Sequence, residues 1–346
     1  METIESFRDM AKYMRAQKRP LSRIGSDASL NTGTTSSELQ SSLNSEVQKN
    51  APYIHPTFEL QMKGFGSFMD KSHEGITAES KKLCDTLQDA PQLPPEHTLF
   101  SDDELLEKTL SRMRGANKPK VVRDIVQLIV PSAEILATRG AKHLEILRET
   151  TNACWVNSHA FIYPSDLRSG LRPQPDFGLG FKRGAFSREQ LQRLQIFIGD
   201  PLTDISWIAP TYDMYFPFLS SEVQSGSDDL NIADLQNAYT QFIALGGLYK
   251  FFSLVGRENE LHREINGFSI SHSEMMVRIW GHYIVIEENE AKFYRRPIAQ
   301  FSILPMSRQD ERWTAYTFVK NIYDLWVPEH FKRICSVIDM LPADLN

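Results

Sequence analysis

Apolar side chains recur along the chain with two different periods, and these periods predict its strands and helices. Alternation predicts strands at 177–181 and 203–209, a buried strand ending near residue 224, and a meander over 267–286 and 292–303. Helical spacing predicts a capped helix from Ser101 and further helices over 141–155, 187–197, 231–255, 313–326 and 329–340. Strands and helices alternate after residue 170, so we predict one α/β domain with a mixed sheet and helices on both faces.

Glycine and proline add local detail to this pattern. Gly178 and Gly180 alternate with aromatic and aliphatic residues, which predicts a strand whose backbone is approached closely by another element. Pro217 lies inside the buried strand and predicts a bulge or a half-paired stretch, since proline cannot donate to the ladder. Gly246 and Gly247 sit in the middle of the longest predicted helix, where they lower helix propensity and therefore indicate tight packing against the sheet.

The N-terminal third differs in composition from the rest of the chain. Residues 24–49 are rich in Ser, Thr, Asn and Gly, and we predict disorder because few large apolar residues are present to offset the ordering entropy. Residues 51–95 are intermediate, which is typical of an arm that docks on a folded body. We therefore assign 1–95 to a mostly disordered N-terminal region and linker, and 96–346 to a single α/β domain.

Composition narrows the function classes. The chain contains no run of about 18 apolar residues and no basic and apolar leader, so we expect neither a membrane span nor secretion. Its three cysteines lie far apart, as expected for reduced thiols in an intracellular protein, cytoplasmic or nuclear. The net charge of -6 counts against constitutive, non-specific binding of nucleic acid.

Candidate chemistry lies at the end of the buried strand. Glu222 and Gln224 are two residues apart and therefore share a strand face, while Val223 points to the other side. Several metal-dependent nucleases present a carboxylate and a second polar group in this way. An ordinary solvated strand has the same pattern, and the spacing alone leaves both interpretations open.

Several longer segments carry a resemblance to a known family. They include Arg172-Pro-Gln-Pro-Asp-Phe-Gly-Leu-Gly-Phe, Met214-Tyr-Phe-Pro-Phe-Leu, Glu260-Leu-His-Arg-Glu and Phe331-Lys-Arg-Ile-Cys-Ser. Together they resemble a family of uncharacterised filamentous-fungal proteins with a C-terminal domain of unknown function. That domain in turn resembles the PD-(D/E)xK superfamily, which implies a restriction-endonuclease-like core.

The resemblance implies roles for four residues. Asp176 and Glu222 match the two carboxylates that hold Mg²⁺, the cofactor of that superfamily, and Glu149 is the candidate for a further ligand on a helix. Gln224 stands where the superfamily usually has Lys; its amide can orient a water molecule but cannot act as a base. Independently of the resemblance, two carboxylates this close repel each other without a metal ion or a basic neighbour, and the candidates for a basic neighbour, which would leave a salt-bridged site with no metal, are Lys182 and Arg183.

Two functions are compatible with these residues. One is a non-catalytic interaction protein that keeps a nuclease-like scaffold, and the other is a Mg²⁺-dependent nuclease that hydrolyses the phosphodiester bonds of DNA or RNA. The acidic net charge and Gln224 favour the first, whereas Asp176 and Glu222 favour the second. The expected partner is another protein or a nucleic acid, and the sequence leaves the oligomeric state open.

Overall fold

A six-stranded sheet forms the centre of the computed structural model, which describes residues 11–19, 49–162, 170–225, 230–288, 290–304 and 310–342. The strands, in chain order, are β1 (Gln17–Lys18), β2 (Leu147–Thr151), β3 (Phe177–Lys182), β4 (Asp204–Ile205), β5 (Met214–Val223), β6 (Ile265–His272), β7 (Met276–Glu287) and β8 (Glu290–Ser302). The large sheet has the order β2-β3-β5-β6-β7-β8, and β1 pairs with β4 in a separate two-stranded sheet. Within the large sheet, β5 and β6 run parallel and the other neighbours run antiparallel, which confirms the predicted mixed sheet.

Helices pack on both faces of the sheet, as predicted. They are α1 (Phe58–Gly64), α2 (Ala78–Asp89), α3 (Asp103–Met113), α4 (Lys118–Asp124), α5 (Val126–Ile129), α6 (Ala133–Thr138), α7 (Arg188–Ile198), α8 (Leu230–Ser253), α9 (Thr314–Asn321) and α10 (Val327–Met340). A Cβ at Gly267 would meet the side chain of Gln241 on α8, whereas the next residue, Phe268, contacts Phe318 of α9. Consecutive strand residues face opposite sides, so α8 and α9 cover opposite faces. No helix in these described ranges is long and apolar enough to cross a membrane.

The strand pair β3–β5 contains the irregularity that proline predicts. Leu179 lies opposite Leu219, but Phe181 lies opposite Tyr215, so β5 contains extra residues around Pro217. A Cβ at Gly180 would lie 2.7 Å from the Tyr215 carbonyl oxygen, which confirms the predicted close approach to this strand. The bulge leaves the last residues of β5 in regular register with β3, where the candidate site lies.

The crossover helix α8 connects the parallel strands β5 and β6, as a parallel pair requires. Only one of its two central glycines, Gly247, is packed tightly, and its close neighbour is not the sheet that we expected. A Cβ at Gly247 would lie 1.9 Å from the Trp207 carbonyl oxygen, in the segment before β5 and outside the sheet. At Gly246 the nearest atom would be a Phe293 ring carbon at 3.9 Å, which is ordinary contact.

Two predicted elements are wrong. The helix predicted over 141–155 is a short 3₁₀ turn, Lys142–Ile146, followed by the edge strand β2. The strand predicted over 203–209 is reduced to the two residues of β4. In both places the apolar side chains belong to short elements and the turns beside them, so the period does not identify the element.

The described part of the N-terminal region, from residue 49 onward, contains helices that pack on the sheet domain. Most of the stretch predicted to be disordered, 24–49, lies outside the described residues; Lys49 is described. Residues 49–54 are helical, and α1 and α2 follow within 51–95. Phe58, Met62 and Leu87 are fully buried in the common core. Residues 51–95 therefore dock on the body as an arm.

Candidate functional site

The sheet topology brings Asp176 and Glu222 together. Phe177, the first residue of β3, lies opposite Ser221 near the end of β5. One rung further, Asp176 lies opposite Glu222, and paired residues of antiparallel strands share a face. Asp176 Oδ2 also accepts a hydrogen bond from the Val223 backbone N–H at 2.8 Å, which holds its carboxylate against the end of β5.

Two lysines complete the site. Lys49 Nζ lies 2.9 Å from Asp176 Oδ1 and 3.0 Å from Glu222 Oε2, so one ammonium group bridges both carboxylates. Lys118, the first residue of α4, places its Nζ 2.7 Å from Asp176 Oδ2. The Glu222 side chain is only 2% exposed and that of Lys49 is 14% exposed, so water screens these charges poorly.

The buried environment separates the pKa values of the two carboxyl groups. Burial alone would raise the pKa of Asp176, but Lys118 and Lys49, together with the Val223 N–H, lower it to about 2. At Glu222, burial and then repulsion from Asp176 prevail over the two lysines and raise the pKa to about 8. Burial would lower the pKa of Lys49, yet the two carboxylates raise it above its ordinary value. At neutral pH the site therefore contains ionised Asp176, two ammonium groups and a Glu222 that is largely protonated.

Gln224 shares the strand face of Glu222 but takes part in a different set of contacts. Its backbone N–H donates to the His272 carbonyl oxygen at 2.9 Å, which continues the ladder toward β6. Its side-chain Nε2 lies 3.4 Å from Gln236 Oε1 on α8, and Gln236 in turn donates to Asn50 Oδ1 at 2.9 Å. Because Asn50 follows Lys49, this amide chain and the lysine bridge both fasten the start of the helical segment 49–54 over the site.

Glu149 does not join the acidic pair. It lies on the edge strand β2 and not on a helix, opposite Leu179 of β3. Leu179 is three residues from Asp176 and therefore on the opposite face, so the same holds for Glu149. Its Oε1 accepts a hydrogen bond from Ser132 Oγ at 2.5 Å, and burial raises its pKa.

The expected basic neighbours also lie elsewhere. Lys182 is at the far end of β3, six residues and roughly 20 Å from Asp176 by strand geometry. Arg183 lies within hydrogen-bond distance of the Tyr215 hydroxyl at that end. The actual cations, Lys49 and Lys118, carry no distinctive signal in the sequence: one borders a polar stretch, and the other stands in the first turn of a short helix.

The arrangement does not suit a Mg²⁺ ion. Asp176 Oδ1 and Glu222 Oε2 face a common point, but the Lys49 ammonium occupies it, and Asp176 Oδ2 is already bound by Lys118. Mg²⁺ requires oxygen ligands in near-octahedral geometry, and a largely protonated Glu222 would have to lose its proton to bind it. Across the described ranges no group of three or more His, Cys, Asp or Glu side chains is placed to hold a metal ion.

Comparison with known proteins places this site partly within a family domain. The family model described as "Domain of unknown function (DUF7924)" matches residues 105–338, a range that contains Lys118, Asp176 and Glu222. Lys49 lies outside the matched range. A search of curated proteins finds no match.

Proposed function

The chain belongs to the DUF7924 family, a domain of unknown function, and we propose that it is a non-catalytic interaction protein built on a nuclease-like scaffold. The observation that carries this proposal is the position of Lys49, whose ammonium lies between the two carboxylates that a metal-dependent nuclease needs. Metal binding would have to displace this ammonium and ionise Glu222 inside a buried pocket, and both steps cost free energy.

The placement of the acidic residues supports the scaffold part of the proposal. Asp176 immediately precedes β3, Glu222 lies at the end of β5, and the long helix α8 follows β5. This is the order of features by which the sequence resembles the PD-(D/E)xK superfamily. Gln224 supports the non-catalytic part, because an amide has no titratable proton and here lies against Gln236 of α8.

Metal calorimetry combined with nuclease assays tests this function. We expect no stoichiometric binding of Mg²⁺ or Mn²⁺ at millimolar concentration, and no cleavage of plasmid DNA or single-stranded RNA above the level of Glu222→Ala. Stoichiometric binding that disappears in Glu222→Ala, accompanied by cleavage that also disappears, would overturn the proposal.

A second candidate function is a Mg²⁺-dependent nuclease whose site is closed by Lys49. One observation favours it: Lys118 supplies an ammonium group beside Asp176, which is the kind of group that Gln224 cannot supply. Lys49, the residue that would close the site, lies outside the family domain. The acidic pair and Lys118 all lie inside that domain.

The substitution Lys49→Met separates the two candidates. The non-catalytic protein predicts that Lys49→Met still neither binds the metal nor cleaves DNA or RNA, whereas the closed nuclease predicts that it gains both properties. Lys63→Met is the matched control, because Lys63 is an exposed lysine of the same N-terminal arm. Circular dichroism of each variant shows whether the fold is retained.

A further inference from the structure

A cleft that shares no lining residue with the acidic pair is built mainly by α10. Its volume is about 380 Å³, within the range of small-molecule sites. Leu83 of α2 and Ile265 at the start of β6 form its apolar side. The opposite side is formed by Trp326, just before α10, and by His330 and Arg333 of α10. Segments 260–264 and 331–336, which take no part in the acidic pair, meet here.

Most charged groups around this cleft already have partners. The Glu264 carboxylate accepts hydrogen bonds from the hydroxyl groups of Thr77, at 2.8 Å, and Ser80. Arg257 binds Glu260 through two nitrogens, at 2.5 and 2.8 Å, and donates its third nitrogen to Ser336 Oγ. These groups have little capacity left for a ligand.

Arg333 is the exception. Its Nη2 donates to Asn266 Oδ1 at 2.7 Å and lies 3.1 Å from His330 Nδ1, and both partners are neutral acceptors. Its Nε is buried and has no hydrogen-bond partner among the described residues, and no described carboxylate lies within ion-pair distance of the guanidinium. Arg333 is half-buried, and the carboxylates of Glu260 and Glu264 act on its charge only from beyond ion-pair distance, so the guanidinium lacks a direct ion pair and leaves a place for an anion.

Neighbouring groups define the chemistry of that anion. Burial, and then the charge of Arg333, lower the pKa of His330 well below its ordinary value, so its neutral ring adds no positive charge. That ring stacks on Trp326 with centroids 4.1 Å apart and forms an aromatic wall. Glu264 and Glu329 also line the cleft, and their carboxylates would repel an anion of higher charge.

We infer that this cleft binds a small organic monocarboxylate, with the carboxylate on the Arg333 guanidinium and the apolar body against Leu83, Ile265 and Trp326. The ligand carboxylate can accept a hydrogen bond from Nη1, since Nη2 already donates to Asn266 and Nε is enclosed, and the apolar side accepts an alkyl or aryl group. The inference does not depend on the proposed function of the acidic pair.

Calorimetry tests this inference when three small molecules are titrated separately into the full-length chain. We expect hexanoate to bind one site per chain, hexanol to bind at least tenfold more weakly, and inorganic phosphate to bind no better than hexanol. Equal affinity for hexanol and hexanoate would reduce the cleft to an apolar pocket, and tighter binding of phosphate would make it a phosphate site; either result overturns the inference.

Substitutions locate the site. Arg333→Gln should weaken hexanoate at least tenfold, while Lys82→Gln, which removes the charge of an exposed lysine of α2 that does not line the cleft, should change its affinity less than threefold. Undiminished binding by Arg333→Gln would overturn the assignment. If Arg333→Gln does not fold, nuclear magnetic resonance of the wild type decides: hexanoate should shift amide signals of α10 and the start of β6, and shifts confined to other elements would contradict the inference.

Discussion

Lys49 and Glu222 are 173 residues apart in the chain, yet the lysine Nζ lies 3.0 Å from the glutamate Oε2 in a pocket nearly closed to solvent. The same ammonium contacts Asp176, so one side chain of the N-terminal arm binds the carboxyl groups at the ends of two neighbouring strands. This contact joins the arm to the family domain and determines how the acidic pair is charged.

Removing the bridging charge should destabilise the fold. In Lys49→Met the aliphatic stem is kept, but the ionised Asp176 loses one of its two ammonium partners and Glu222 loses a hydrogen-bond donor inside a buried pocket. Breaking a buried ion pair costs about 3 kcal/mol of unfolding free energy. Chemical denaturation measures the loss, and Lys63→Met, at an exposed position of the same arm, should stay within about 0.5 kcal/mol of wild type. Equal stability of the two variants would show that Lys49 does not bridge the carboxylates in solution.

The pH dependence of stability should report on Glu222. Its pKa rises from 4.5 in the unfolded chain to about 8 in the fold, so the folded state retains a proton that the unfolded state releases. The corresponding stabilisation is complete below the unfolded pKa and is lost as pH rises through the folded pKa. Between pH 5 and 8 this one group should lower the unfolding free energy by up to about 1.4 kcal/mol per pH unit.

The substitution Glu222→Gln isolates this contribution. The other titrating groups are the same in the wild type and the variant, so their effects cancel in the difference between the two unfolding free energies. The difference in unfolding free energy, wild type minus variant, should decrease steadily from pH 5 to pH 8. Asp176 has the opposite sign, since its lowered pKa of about 2 stabilises the fold at higher pH and the effect disappears only as pH falls below 3.8. A wild-type-minus-variant difference that stays flat over the range 5–8 would mean that Glu222 is ionised in the fold, because neither state would then gain or lose a proton there.

The two neighbouring glycines of α8 should respond differently to alanine. Gly247→Ala would place its Cβ 1.9 Å from the Trp207 carbonyl oxygen, and the resulting backbone shift should cost at least about 2 kcal/mol. Gly246→Ala meets nothing nearer than 3.9 Å and should be neutral or stabilise by up to about 1 kcal/mol through helix propensity. Thermal or chemical denaturation of the pair checks both, and a large loss for Gly246→Ala would contradict the packing of this helix.

The part of the site that depends on strand geometry could be predicted from the sequence. Side-chain alternation places Glu222 and Gln224 on one face, and the Pro217 bulge and the close approach at Gly180 follow from the limits of proline and glycine in strands. These features are local, because each depends on the chirality and hydrogen bonding of a few residues.

The cations could not be predicted, because their positions depend on contacts between distant parts of the chain. Lys49 reaches the acidic pair only because the arm docks beside α8, and Lys118 reaches it only because α4 begins beside the end of β5. Glu149 was misplaced for a related reason. The apolar spacing around it fits a helix, whereas hydrogen bonding to β3 makes this segment an edge strand that turns the carboxylate to the other face.

A crystal structure of the protein soaked in manganese chloride tests the central claim most directly, because Mn²⁺ gives an anomalous signal at any carboxylate site it occupies. The account predicts no anomalous peak between Asp176 and Glu222, and electron density for Lys49 Nζ within about 3.2 Å of both carboxylates. An anomalous peak between the two carboxylates, with Lys49 displaced from them, would contradict it and favour the metal-dependent nuclease.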